Sequence, residues 1–258
     1  MSKLASALIA ASLLIVATVP VLAQDTGPTF VEVETFTVAP EDGPAFVEAV
    51  KKIVEAAKLA NLDGEFRWSV YQDGDDYRAV SFHKNMAYFD DPAVWMRQFQ
   101  GTPGEAVLTE AFGMFSGLDM RMTRSVARFV PEWSYQPGES GVTPGEQEGS
   151  VVFQTWVKNG QEEAYDENTK AIMAALKETD FAYPIFGHQV IMGDTDETYF
   201  VVLHDGLENF YGENSFANAI EKSGIGEKWG ALFQARPGLT RGNDNYTSAY
   251  RADLSYRP

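Results

Sequence analysis

The sequence predicts an α+β fold in which two tandem βαββαβ units pack sheet to sheet and form an α+β barrel within one chain. Three observations predict it. Sliding the 258-residue chain against itself by 121 positions aligns 66–137 with 187–258 without a gap. Eleven of the 72 columns are identical, among them His83/His204, Phe112/Phe233 and Tyr135/Tyr256, against roughly one column in sixteen by chance. Each half has apolar patterning in the order strand, helix, strand, strand, helix, strand. Between them lies a Pro-, Gly- and acid-rich stretch, 138–149, with the composition of a linker.

The elements follow in order. Residues 1–23 read as a secretory signal: Lys3, an apolar run from Leu4 to Val19, then Pro20 and the small-residue site Val21-Leu22-Ala23. Leu4–Ala23 is also just long enough for a retained anchor, but Pro20 and Ala23 point to cleavage. The first unit, 24–137, opens with Phe30–Val38, where Val31 and Val33 alternate with Glu32 and Glu34 as in a half-buried strand. Pro40–Pro44 starts a helix with Phe46, Ala49, Val50, Ile53, Val54 and Ala57 at spacings of three and four. Glu65–Tyr71 and Tyr77–His83 flank the turn Asp73-Gly74-Asp75-Asp76 as a hairpin. A broken helical region (Pro92–Phe99, Gly104–Phe115) and a last strand, Ser125–Val130, complete the unit. The second unit, 150–258, repeats this plan with Val151–Lys158, a helix through Ala164, Ile172 and Leu176, the hairpin Gly187–His204, helices at Ser215–Glu221 and Gly226–Ala235, and Tyr246–Arg251.

Composition excludes several function classes. Twenty basic residues against 37 acidic ones give a net charge of −17, which repels a polyanion, so nucleic acid is not an expected partner. No segment after the signal is long and apolar enough to span a membrane, which places the protein in the periplasm or outside the cell. There is no cysteine, so no thiol nucleophile or disulfide is available. Gly-x-Ser-x-Gly, Gly-Lys-Ser/Thr and His-Glu-x-x-His patterns are missing from the sequence.

The candidate ligand-binding residues are the three histidines and a set of aromatics. His83 and His204 occupy equivalent strand ends; they either line one shared cavity or each cap a strand by bonding a backbone group. His188 stands opposite Arg67 in the repeat and has no counterpart. Trp68, Tyr71 and Tyr183 are candidates for the wall of an apolar pocket. The acidic turns, Asp73/Asp75/Asp76 and Asp194/Asp196/Glu197, lack the twelve-residue loop of a calcium-binding hand and read as solvated hairpins. No metal, cofactor or catalytic residue is assigned.

The element order, taken with the repeat, is the split βαβ or ferredoxin-like plan. Two such units in one exported chain resemble the dimeric α+β barrel superfamily, which includes antibiotic-biosynthesis-monooxygenase-like and NIPSNAP-like proteins. The resemblance covers most of residues 30–258 and implies architecture rather than chemistry. Its haem-bearing branch, similar to chlorite dismutase, takes an axial histidine from a helix. Here Gly104–Phe115 and Gly226–Ala235 carry none, and all three histidines fall on predicted strands.

With no catalytic constellation in view, the expectation is an exported, non-catalytic binding or assembly protein that recognises a small apolar ligand or a periplasmic protein partner. The alternative is a cofactor-independent monooxygenase-like enzyme or isomerase using His83 or His204 in an aromatic cavity. Because both units lie in one chain, a monomer is expected.

Overall fold

The computed structural model describes residues 29–258 except 92, 139, 140 and 144; the signal segment 1–23 lies outside the described residues. The first half contains β1 (Phe30–Val38), α1 (Gly43–Ala60), β2 (Trp68–Asp73), β3 (Asp76–His83), α2 (Val94–Arg97), α3 (Gly104–Phe115) and β4 (Met120–Phe129). The second contains β5 (Gly149–Val157), α4 (Glu162–Leu176), β6 (Ile185–Met192), β7 (Glu197–His204), α5 (Leu207–Tyr211), α6 (Phe216–Ser223), α7 (Gly226–Leu239) and β8 (Thr240–Tyr250). Among the described residues no helix is long and apolar enough to cross a membrane.

The eight strands close into an antiparallel barrel in the order β1-β3-β2-β8-β5-β7-β6-β4, and β4 pairs back onto β1. Each half contributes its own strands in one order, β4-β1-β3-β2 and β8-β5-β7-β6. The expected sheet-to-sheet packing is corrected in one respect. The sheets also join edge to edge, β2 to β8 at Tyr71–Tyr250 and Gln72–Ala249, and β4 to β6 from Val126–Met192 to Phe129–His188. Open edges leave rows of N–H and C=O groups unpaired, and closure removes them.

Closure covers the inner face of the sheet, and helices cover part of the outer face. Ala127, Val152, Val190 and Tyr199 pack with Val33, Val201 and Tyr246 inside the barrel. The outer face of the first sheet lies under α1 and α3, where Phe46, Val54 and Leu108 meet Val38, Val70 and Tyr77. The outer face of the second lies under α4 and α7, with Tyr165, Ile172 and Leu176 against Val151, Phe200 and Val202.

The helix pairs differ in how closely they approach. A Cβ added at Gly104 of α3 would lie 2.2 Å from the Ala56 carbonyl oxygen of α1, so the bare glycine lets these helices touch. In α7 no residue is fully buried, and a Cβ at Gly226 or Gly230 would meet nothing within 4 Å. In the second half a cleft of about 650 Å³ opens beside α7, lined by Phe153, Phe200, Trp229 and Phe233 among others.

The segment 138–149 is docked rather than loose where it is described. Val142 and Gln147 are buried, and Gln147 Nε2 donates to Tyr71 Oη at 2.9 Å.

Candidate active site

The alternation that reads as one polar and one apolar face of β1 is overturned by the barrel. Pairing puts Glu34 between Ala79 and Arg124, and Glu32 between Ser81 and Val126. These rows face outward, toward the helical layer, so Glu32 is only 6% exposed. His83 pairs with Phe30, diagonally next to Glu32, within reach of a long side chain.

The result is a buried ionic array. His83 Nε2 lies 3.0 Å from Glu32 Oε2, and the Nε nitrogen of Arg124 donates to the other carboxylate oxygen. Burial by itself would raise the Glu32 pKa, but the hydrogen bonds from His83 and Arg124 and the charge of Arg124 outweigh it and hold the carboxyl below its usual range. Glu32 is thus ionised and accepts the Nε2 proton, which leaves Nδ1 as the basic nitrogen of His83. The Tyr88 ring stacks on the imidazole at 3.6 Å between centroids, and burial pushes its hydroxyl up to about 12. Beside them, burial and the charge of Glu32 raise the Glu34 pKa against the pull of Arg124 and His83. Arg124 is exposed at its tip and lies over the Phe89 ring at 5.6 Å. Chemically, this is an imidazole held by a carboxylate whose other oxygen is held by a guanidinium.

The same rows in the second half carry different chemistry. Phe153 pairs with Phe200 and Asn245, and Val151 with Val202 and Thr247, where the first half has Glu34, Ala79, Arg124 and Glu32, Ser81, Val126. Instead of an ionic array there is a cleft of about 650 Å³, lined by Phe153, Phe200, Phe216, Trp229, Phe233 and Arg236 among others.

His83 and His204 do not share a cavity. Both lie on outer faces, but of opposite sheets. His204 Nδ1 accepts the Gly206 N–H at 3.1 Å, and its ring packs against Gly149, where a Cβ would stand 3.1 Å away. It caps its strand, and burial lowers its pKa. His188 lies inside the barrel, stacked on Tyr199 at 4.8 Å, and burial pushes it down to about 4. The other candidates also lie apart from the cleft. Trp68 is core, its indole donating to the Leu254 carbonyl at 2.9 Å. Tyr71 faces Tyr250 at 5.5 Å. Tyr183 donates to Asp205 Oδ1 at 2.8 Å, and burial together with that carboxylate pushes its hydroxyl up to about 12. The acidic turns pair with cations, Asp73 and Asp76 with Arg78, and Asp194 and Asp196 with Arg241. Among the described residues no group of three His, Asp or Glu could hold a metal.

No protein-family model matches the chain, and no curated protein matches it. Solved structures do. A chain from Lactobacillus acidophilus NCFM, provisionally assigned as a monooxygenase, superposes with a TM-score of 0.51 at 12% identity, over 89% of this chain and 96% of its own. A second such chain, from Fusobacterium nucleatum subsp. nucleatum ATCC 25586, gives 0.56 at 9% identity, over 90% and 99%. An anthrone oxidase-like protein gives 0.53 at 13% identity, over 88% and 91%. The fold is that of the monooxygenase-like α+β barrels. The expectation of a non-catalytic binding or assembly protein is corrected at this point. The neighbours that share the fold over nearly their whole length are described as monooxygenases or as anthrone oxidase-like. Glu32, Glu34, Tyr88 and Arg124 were all missed. The correspondence of Val151 and Phe153 with Glu32 and Glu34 is given by the strand registers and lies outside the ungapped repeat, which begins at residue 66.

Proposed function

We propose that the protein is an enzyme of the cofactor-independent oxygenase or isomerase kind, with His83 as general base, Glu32 as its orienting carboxylate and Arg124 as the oxyanion partner. The observation that carries this is the 3.0 Å contact between His83 Nε2 and the buried, ionised Glu32. Nδ1 removes a proton from an activated methylene or phenol, and the guanidinium of Arg124 meets the negative charge left on the substrate oxygen. The anthrone oxidase-like neighbour suggests a polycyclic hydroxy-ketone as substrate. In that case the enolate reacts with O2, the methylene becomes a carbonyl, and one water leaves per O2 consumed. Of the branches the sequence resembles, the antibiotic-biosynthesis-monooxygenase-like one fits this reading. We also infer that the halves are tandem ferredoxin-like units derived by duplication, which their equivalent strand orders and registers support.

The test uses anthrone with two readouts, oxygen uptake and exchange of the methylene hydrogens with deuterated solvent. The protein accelerates exchange, and His83→Ala lowers the rate about a hundredfold or more. Glu32→Gln lowers it less and moves the pH profile. Neither exchange nor uptake above background, or full activity in His83→Ala, overturns the assignment.

A further inference from the structure

We infer that Glu34 is the proton donor of the site around His83, and that its proton goes to the oxygen that leaves as water when the peroxidised substrate becomes a ketone. The inference rests on the His83 reading and supplies the residue for the second half of that reaction.

The need for a donor comes from the proton count. His83 Nδ1 removes a methylene proton, the enolate takes up O2, and the same proton returns to give a hydroperoxide, which leaves Nδ1 unprotonated again. In the next step the remaining C–H bond breaks, its electron pair forms the C=O bond, the O–O bond breaks and hydroxide departs. One nitrogen cannot serve both ends of that step. Nδ1 takes the carbon-bound proton while a second group protonates the departing oxygen. Solvent then carries the proton of the imidazolium back to the donor, and the sum is one methylene and one O2 to one ketone and one water.

Glu34 is placed for this. It stands two residues from Glu32 on the same outward row of β1, opposite Ala79 on one side and Arg124 on the other. The two carboxyls differ in their bonding. Glu32 takes up both partners within reach, His83 Nε2 and Arg124 Nε. Although Arg124 is the cross-strand neighbour of Glu34, its guanidinium reaches diagonally to Glu32, and among the described residues Glu34 has no hydrogen bond or ion pair. It feels Glu32, Arg124 and His83 only as charges at longer range. Burial and the neighbouring anion favour the neutral form of Glu34, whereas the hydrogen bonds hold Glu32 ionised. Two carboxyls driven apart in this way divide into an acid and a fixed anion. Glu34 is also partly accessible, so it can meet a substrate and recover its proton from solvent.

The other groups nearby fit the role less well. Arg124 does not release a proton in a protein. The Tyr88 hydroxyl, pushed up to about 12, is a far weaker acid than a carboxyl. Both oxygens of Glu32 are already occupied.

The test is oxidation of anthrone by the full chain with three readouts: exchange of the methylene hydrogens, anthraquinone formation, and hydroperoxide trapped by its conversion of triphenylphosphine to the oxide. Glu34→Gln keeps the shape of the side chain, strands no partner and supplies no proton. Exchange, which needs only His83, stays within about twofold of the parent rate while ketone formation falls about tenfold or more and hydroperoxide builds up. Formate added to Glu34→Ala restores ketone formation, because what that variant lacks is a proton and not a shape. Should the amide variant not fold, Glu34→Asp against Glu34→Ala makes the same comparison. Ketone formed at the parent rate by Glu34→Gln, exchange and ketone formation falling together, hydroperoxide accumulating in Tyr88→Phe instead, or no rescue by formate overturns the inference. A parent that neither exchanges nor takes up oxygen removes the His83 reading and this one with it; a parent that does both, matched by Glu34→Gln, removes the assignment of Glu34 alone.

Discussion

Tyr165 Oη lies 2.7 Å from the Thr198 hydroxyl beneath α4, at the position where the first half places the Phe46 ring 4.7 Å from the Tyr77 ring. In both halves the helix supplies an aromatic ring; its strand partner is a second ring in the first half and a small hydroxyl in the second. Thr198 also donates to the Thr155 carbonyl at 3.3 Å, so Tyr165 is the donor of the pair. Thr198→Val therefore strands a buried hydroxyl and costs about 1–3 kcal/mol. Tyr165→Phe leaves Thr198 bonded and costs about 1 kcal/mol or less. The double variant is less destabilised than the sum, which a urea-unfolding cycle measures; strict additivity counts against the bond.

The two helix pairs make opposite predictions for one substitution. Gly104→Ala drives a methyl into the Ala56 carbonyl, 2.2 Å away, and destabilises by about 1–3 kcal/mol through forced separation of α1 and α3. Gly230→Ala in α7 meets nothing within 4 Å and stabilises by about 0.5–1 kcal/mol through helix propensity. Thermal unfolding of both variants checks the contrast. Destabilisation by Gly230→Ala means that α7 packs more closely than described.

Much of this architecture was legible in the chain. Phe30–Val38 is the strand its alternation predicts, and both hairpins turn where Gly74 and Gly193 take positive φ. The last strands were read too short, because the Met120–Arg124 and Thr240–Asn245 segments are polar and largely exposed. Their extended state is set by pairing with β1 and β5, which local pattern does not report. Helix α7 runs through Pro237 to Leu239, past the point where proline usually ends a helix; the Lys158 contacts to the last carbonyls accompany this. The site was hidden for a different reason. Period-two alternation says which residues share a face but not which face is dry, so Glu32 reads as a solvated residue, whereas on the outer face of the barrel it is buried against His83 and Arg124.

His188 makes the barrel interior sensitive to acid. Its native pKa of about 4, set by burial and opposed in part by the backbone of Phe186 and Tyr199, lies below its ordinary value of 6.5. The unfolded chain therefore binds the proton first. The stabilisation is complete above pH 6.5 and is lost as pH falls from 6.5 toward 4, by about 3 kcal/mol. His188→Phe keeps a ring against Tyr199 and removes this dependence. Urea unfolding across that pH window is expected to show the parent losing about 3 kcal/mol toward the acid end relative to His188→Phe. Parallel pH profiles count against neutral burial of this histidine.

A single chain is the expected solution state, and the reason lies in the strand edges. In this fold a four-stranded half exposes two edges, β4 and β2 or β8 and β6, and each edge is a template for another sheet. Here all four are consumed within the chain, at the β2–β8 and β4–β6 seams. The β2–β8 seam is the shorter, with two paired residues, and it is reinforced nearby by the backbone exchange between Trp68 and Tyr256 at 3.1 Å in each direction. The Ser255 hydroxyl adds to it by accepting the Val70 N–H at 2.9 Å. Sedimentation velocity is expected to give the one-chain mass at every concentration. Ser255→Ala leaves the Val70 N–H unpaired and lowers stability by about 1–3 kcal/mol. If loosening this seam exposes an edge, the variant associates where the parent does not, so a dimer appearing only with Ser255→Ala places the weak point of closure at β2–β8.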